Sequence, residues 1–81
     1  MDARKELLIK SAARLYSLGI DLDASKDRIR KLVETGVEFS SIEMTRAVDA
    51  YLELQKLWDD LEREYLVLRD EIRNTELDAK S

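Results

Sequence analysis

The segment DDLERE, residues 59–64, puts four carboxylates within six residues. A close carboxylate pair is the least that acid–base chemistry requires without histidine, because mutual repulsion holds one proton while the other group stays ionised. The spacing argues against such a pair. On a helix Asp59, Asp60, Glu62 and Glu64 point to several sides, with Arg63 among them, so a solvated surface is expected. A second acidic stretch, DLDASKD at 21–27, sets Asp21, Asp23, Ser25 and Asp27 at positions 1, 3, 5 and 7 of a calcium loop. Lys26 then stands where the loop's sharp turn needs glycine, and Leu32 where a bidentate glutamate should close the coordination shell. Neither stretch predicts a metal or catalytic site.

The wider composition points the same way. The chain has no histidine and no cysteine. That excludes disulfides, thiolate or imidazole metal ligands and the common nucleophile–base pairs, and a di-iron bundle lacks its Glu-x-x-His ligands. No glycine-rich phosphate loop is present. The expectation is a protein with no catalytic residue, no cofactor and no metal, hence not an enzyme. Residues 1–35 carry eight Lys/Arg against six Asp/Glu, and residues 36–81 six against twelve. Such a basic front and acidic back suit pairing within or between chains, not a nucleic-acid surface, which needs concentrated positive charge. A helix-turn-helix reading of 29–51 meets the same objection, since its second helix opens with Glu43 and Asp49 and has Arg46 as its only early cation.

The elements that would carry these residues are helical. Proline is absent, glycine occurs twice, and Leu, Ala, Glu, Lys and Arg abound. The doublet LGIDLDAS (18–25) and TGVEFSSI (35–42) suggests one joint used twice. In each, a glycine can take the left-handed conformation that ends a helix, an aliphatic residue folds back on the last turn, and a capping residue starts the next helix. Gly19 with Ile20 on Leu15 would end the first helix, and Gly36 with Val37 on Leu32 the second. Asp23 or Ser25 would cap the second helix. Ser40 with Glu43 would form a capping box for the third, and Phe39 with Met44 the matching staple. The predicted fold is all-α, with three helices at about 2–18, 24–35 and 41–74, two short ones packed on one long third. The whole of 1–81 reads as one domain, with 75–81 as a frayed tail.

The third helix has the strongest pattern. Met44, Ala47, Tyr51, Leu54, Trp58, Leu61, Tyr65, Leu68 and Ile72 alternate steps of three and four without interruption. Aromatic residues at three of the five alternate seam positions, Tyr51, Trp58 and Tyr65, suit a bundle with uneven gaps better than a tight parallel coil. Leu52, Leu66 and Val67 lie off the seam and mark a second surface. Two short helices cannot cover both surfaces, so apolar area is left for a partner, and another copy of the chain is the simplest one. The predicted interface is Leu52, Trp58, Leu61, Tyr65, Leu66, Val67, Leu68 and Ile72, joining a homodimer through the long helix.

One family resemblance suggests a different role. The stretch GVEFSSIEMTRAVD, residues 36–49, resembles the start of the second helix in the small sporulation aspartyl-phosphate phosphatases, helical hairpins whose glycine turn precedes a Ser-Gln-Glu-Leu-Asp motif. Thr45 stands for the serine, Val48 for the leucine, and Asp49 matches the aspartate. Arg46-Ala47 replace the Gln-Glu pair, and the spacing from the glycine differs by one. The match covers under half the chain, and a first helix ending at residue 18 is too short for that hairpin. The resemblance implies a docking module that regulates a phosphorylated response regulator through Thr45, Val48 and Asp49. The residues themselves support a small adaptor or structural protein whose first expected partner is itself and whose second is another protein, with no nucleic acid and no membrane. No apolar run approaches the ~20 residues of a span, and MDARKELLIK lacks the apolar core of a signal peptide, so a cytoplasmic location is expected.

Overall fold

The computed structural model describes the backbone of residues 3–80 and the side chains of residues 3–77. It contains two helices, not three: α1 spans Ala3–Glu34 and α2 spans Ile42–Lys80. They pair as an antiparallel hairpin 61 Å long and 17 × 16 Å across. The length is that of α2 itself, since 39 residues at 1.5 Å each make about 58 Å. The predicted start at residue 2 lies outside the described residues. At the other end α2 runs six residues beyond the end predicted at 74.

The main correction concerns the first copy of the doublet. Residues 18–25 are helical throughout, and Gly19 does not adopt a positive φ. Asp23 and Ser25 therefore cap nothing; they sit in mid-helix. The physical reason is a heptad that crosses the glycine: Leu8, Ser11, Leu15, Leu18, Leu22, Ser25, Ile29 and Leu32 are all buried or half-buried. Glycine in a helix interior costs roughly 0.5–1 kcal/mol relative to alanine. Breaking the helix there would strip Leu18 and Leu22 from α2, and a single buried leucine contributes about 1.5–3 kcal/mol. Continuity wins.

The second copy is a joint. Gly36 has φ +80°, its N–H donates to Val33 O at 3.1 Å, and the Val37 N–H donates to Leu32 O at 3.0 Å. These two bonds define a Schellman ending, with Val37 and Leu32 both half-buried beside one another in it. A tight turn follows, in which the Ser41 N–H donates to Glu38 O at 3.0 Å. Ser41, not Ser40, is the N-cap of α2: its Oγ accepts from the Met44 N–H at 3.1 Å, and its carbonyl accepts the Thr45 N–H. The shift by one residue moves Met44 to the third helical position and leaves the predicted box and staple unformed. Phe39 is consequently exposed rather than stapled.

The seam predicted for the long helix is present. Every residue from Met44 to Ile72 in the three-four pattern is buried or half-buried, with Met44, Ala47 and Ile72 the most enclosed. Together with Leu22 these are the only buried side chains among the described residues. No buried side-chain nitrogen or oxygen among them lacks a hydrogen-bond partner. A pair of helices can enclose its own seam only thinly.

Candidate interaction surface

The register of the hairpin follows from two contacts. Lys5 Nζ meets Glu76 Oε1 at 2.7 Å near the open end, and Gly19 lies against Trp58 in the middle. One heptad outwards from that middle, Tyr65 falls level with Ser11 and Ala12; one heptad inwards, Tyr51 falls level with Ser25 and Lys26. The large rings of α2 thus line up with small or flexible positions of α1, which answers how so many aromatics fit one seam.

Two flanks remain beside the seam, and they differ in character. The first is a shallow groove where Gly19 has no side chain, walled by Trp58, Leu15, Tyr16, Ile20, Leu22 and Gln55, with Asp23 and Lys26 as its charged members. Tyr16 is 73% exposed and Ile9, one heptad before it, 62%. Leu52 and Leu66 continue this flank on α2, both exposed. Its polar edge is fixed by a chain along α2: the Tyr51 hydroxyl donates to Gln55 Oε1 at 3.4 Å, and Gln55 Nε2 donates to Asp59 Oδ1 at 3.0 Å. The opposite flank carries Arg14, Asp21, Asp60 and Glu64 around Leu57. Ala13, Ser17, Leu18 and Leu61 complete its lining, and three of its four charges are acidic.

The predicted interface residues divide accordingly. Trp58, Leu61, Tyr65 and Leu68 are half-buried and Ile72 is buried, all in the seam with α1. Leu52, Leu66 and Val67 stay exposed. Ile9, Tyr16 and Ile20 were missing from the sequence-based interface, which was drawn from the long helix alone. Had the heptad been followed through Gly19, these three would have fallen outside it.

The remaining candidates are scattered. Thr45 is exposed, its hydroxyl donating to Ser41 O at 2.9 Å; Val48 is half-buried; Asp49 is exposed, with no hydrogen bond or ion pair among the described residues. Asp59 and Asp60 face opposite flanks, so the DDLERE carboxylates form no cluster. Among the described residues no group of three or more carboxylates is placed to hold a metal ion, and no helix is long and apolar enough to cross a membrane. The antiparallel pairing of α1 and α2 also differs from the steep crossing of a helix-turn-helix.

No protein-family model matches the chain, and neither a similar curated protein nor a similar solved structure is found.

Proposed function

We propose that this chain is a non-enzymatic adaptor or structural protein of the cytoplasm that acts by binding, and whose first partner is a second copy of itself. One observation carries the reading. The hairpin exposes 6458 Å², whereas a compact protein of its 9.4 kDa exposes roughly 5,000 Å². Two hairpins packed to the compactness usual for their joint mass would bury roughly 4,600 Å² between them. That lies in the ~2,000–5,000 Å² range of permanent homodimers. The exposed Ile9, Tyr16, Ile20, Leu52 and Leu66 supply the apolar content such an interface needs.

Light scattering on the size-exclusion peak at micromolar concentration tests this. Twice the chain mass is the expected result. A folded, cooperatively melting monomer at every concentration overturns the proposal.

A second reading is favoured by a specific observation: α1, at 32 residues, gives the long hairpin that the phosphatase-like resemblance requires. In that reading Asp49, exposed on the third turn of α2 near Thr45 and Val48, docks on a phosphorylated receiver domain. Binding to phosphorylated receiver domains, abolished by Asp49→Ala, is the expected result; absence of binding removes this alternative.

A further inference from the structure

We infer that the two copies pack glycine flank to glycine flank about a two-fold axis running along the hairpin, so that α1 of each lies on α2 of the other and both turns sit at one end. This rests on the homodimer reading and specifies its face and orientation. The face follows from composition. The glycine flank presents the exposed Ile9, Tyr16, Ile20, Leu52 and Leu66 around a position without a side chain, with Asp23 and Lys26 in its lining and Asp59 at its edge. The opposite flank sets three carboxylates, Asp21, Asp60 and Glu64, against the single cation Arg14 around Leu57. Burying an excess of two negative charges per copy on the opposite flank would cost more than burying the glycine flank, where Lys26 offsets Asp23 and five large apolar side chains gain cover.

The orientation follows from charge. Residues 3–34 hold eight Lys/Arg against five Asp/Glu, a net of +3; residues 42–80 hold six against eleven, a net of −5. With the axis along the hairpin, every neighbouring pair in the bundle is one α1 with one α2, so opposite charges adjoin at each edge. With the axis across the hairpin, α2 would lie on α2, and Asp59, between Leu52 and Leu66 on that face, would approach its own copy. The lengthwise arrangement also keeps levels aligned. Ile9 and Tyr16 of one copy then bracket the second copy's Leu66. At the shared end Phe39 and Ile42, 77% and 71% exposed, gain the same residues of the second copy as neighbours.

The absence of cysteine makes the test clean, because a single introduced thiol labels one site. Ser40→Cys in the otherwise unchanged chain, spin-labelled, gives the distance between the two turns. The lengthwise axis predicts a separation of about 20–30 Å, given helix axes 8–10 Å apart and the reach of the labels. A separation near the 61 Å length of the hairpin overturns the orientation. For the face, Tyr16→Glu and Leu66→Glu are expected to weaken dimerisation at least tenfold, and Leu57→Lys and Val67→Lys less than threefold, with helicity unchanged in all four. The reverse pattern in a dimeric parent overturns the face and leaves the homodimer standing, whereas a monomeric parent removes both.

Discussion

Gly19 of α1 lies against Trp58 of α2: a Cβ on the glycine would sit 4.0 Å from the indole Nε1, at ordinary van der Waals distance. The glycine therefore serves no turn. It is a small residue facing a large ring, and it leaves open the groove from which the glycine flank takes its shape. Gly36 is its opposite, at φ +80° and with nothing within 4 Å of a Cβ placed there.

The two glycines should consequently respond to alanine with opposite signs. Gly19→Ala keeps a helical backbone and makes an unstrained contact, so a stabilisation of about 0.5–1 kcal/mol is expected. Gly36→Ala forces a side chain into the left-handed region and should cost about 1–2 kcal/mol. Urea midpoints at one fixed protein concentration read both, provided the slope is unchanged. Destabilisation by Gly19→Ala of the same size as Gly36→Ala would restore a joint at residue 19.

That contrast also shows what the sequence made legible. The all-helical class, the Gly36 joint and the unbroken seam from Met44 to Ile72 could be read directly, because each is a dense local signal. The continuity of α1 could not, because LGIDLDAS carries every local mark of a helix stop and start. What overrides those marks is a non-local fact: the α2 seam presents a ring opposite Gly19, and the Leu18 and Leu22 that flank the glycine in sequence are half-buried and buried. Ser11 and Ser25 further hid the α1 heptad, since a search for apolar residues alone breaks there. The surface was legible only in part. Leu52, Leu66 and Val67 were found outside the seam, but Ile9, Tyr16 and Ile20 required knowing that one helix, not two, covers α2.

The caps yield a second prediction. Ser41→Ala removes the acceptor of the Met44 N–H and should cost about 1 kcal/mol. Ser40→Ala removes no capping bond and should stay within about 0.5 kcal/mol. Asp23→Ala, which would cost as much as Ser41→Ala if Asp23 capped a helix, should instead stabilise slightly, by up to about 0.5 kcal/mol, because alanine is the better residue in mid-helix. Thermal melts of the three variants followed by circular dichroism rank them. A loss at Asp23 equal to that at Ser41 would contradict the continuous α1.

The core is thin enough that one leucine should decide it. Leu22 is the only buried side chain of α1 among the described residues. Leu22→Ala is expected to cost about 2–5 kcal/mol, the range for truncating an enclosed leucine. In a domain this small that is much of the total stability, so the cooperative melt should be lost or fall well below 37 °C. Ile20→Ala, two residues away but exposed, should leave the hairpin's own helicity intact. Equal effects at the two positions would mean that α1 does not present the side described.

The final prediction concerns the ends of the hairpin. Lys5 Nζ and Glu76 Oε1 are 2.7 Å apart, although both side chains are about half exposed. Exposed ion pairs contribute roughly 0–1 kcal/mol and are screened by salt, so Lys5→Met should barely change stability. The pair is valuable as a marker of register. A water-soluble carbodiimide joins amine to carboxylate only where the two already touch, so it should produce a Lys5–Glu76 isopeptide within one chain, detectable by peptide mapping. A mixed-isotope sample distinguishes this from a link between copies: the expected product carries one isotope throughout. An arm broken at residues 19–23, with its first segment free to swing, would scatter Lys5 over several carboxylates. One dominant intrachain product is what a continuous α1, held by its heptad from Leu8 to Leu32, requires.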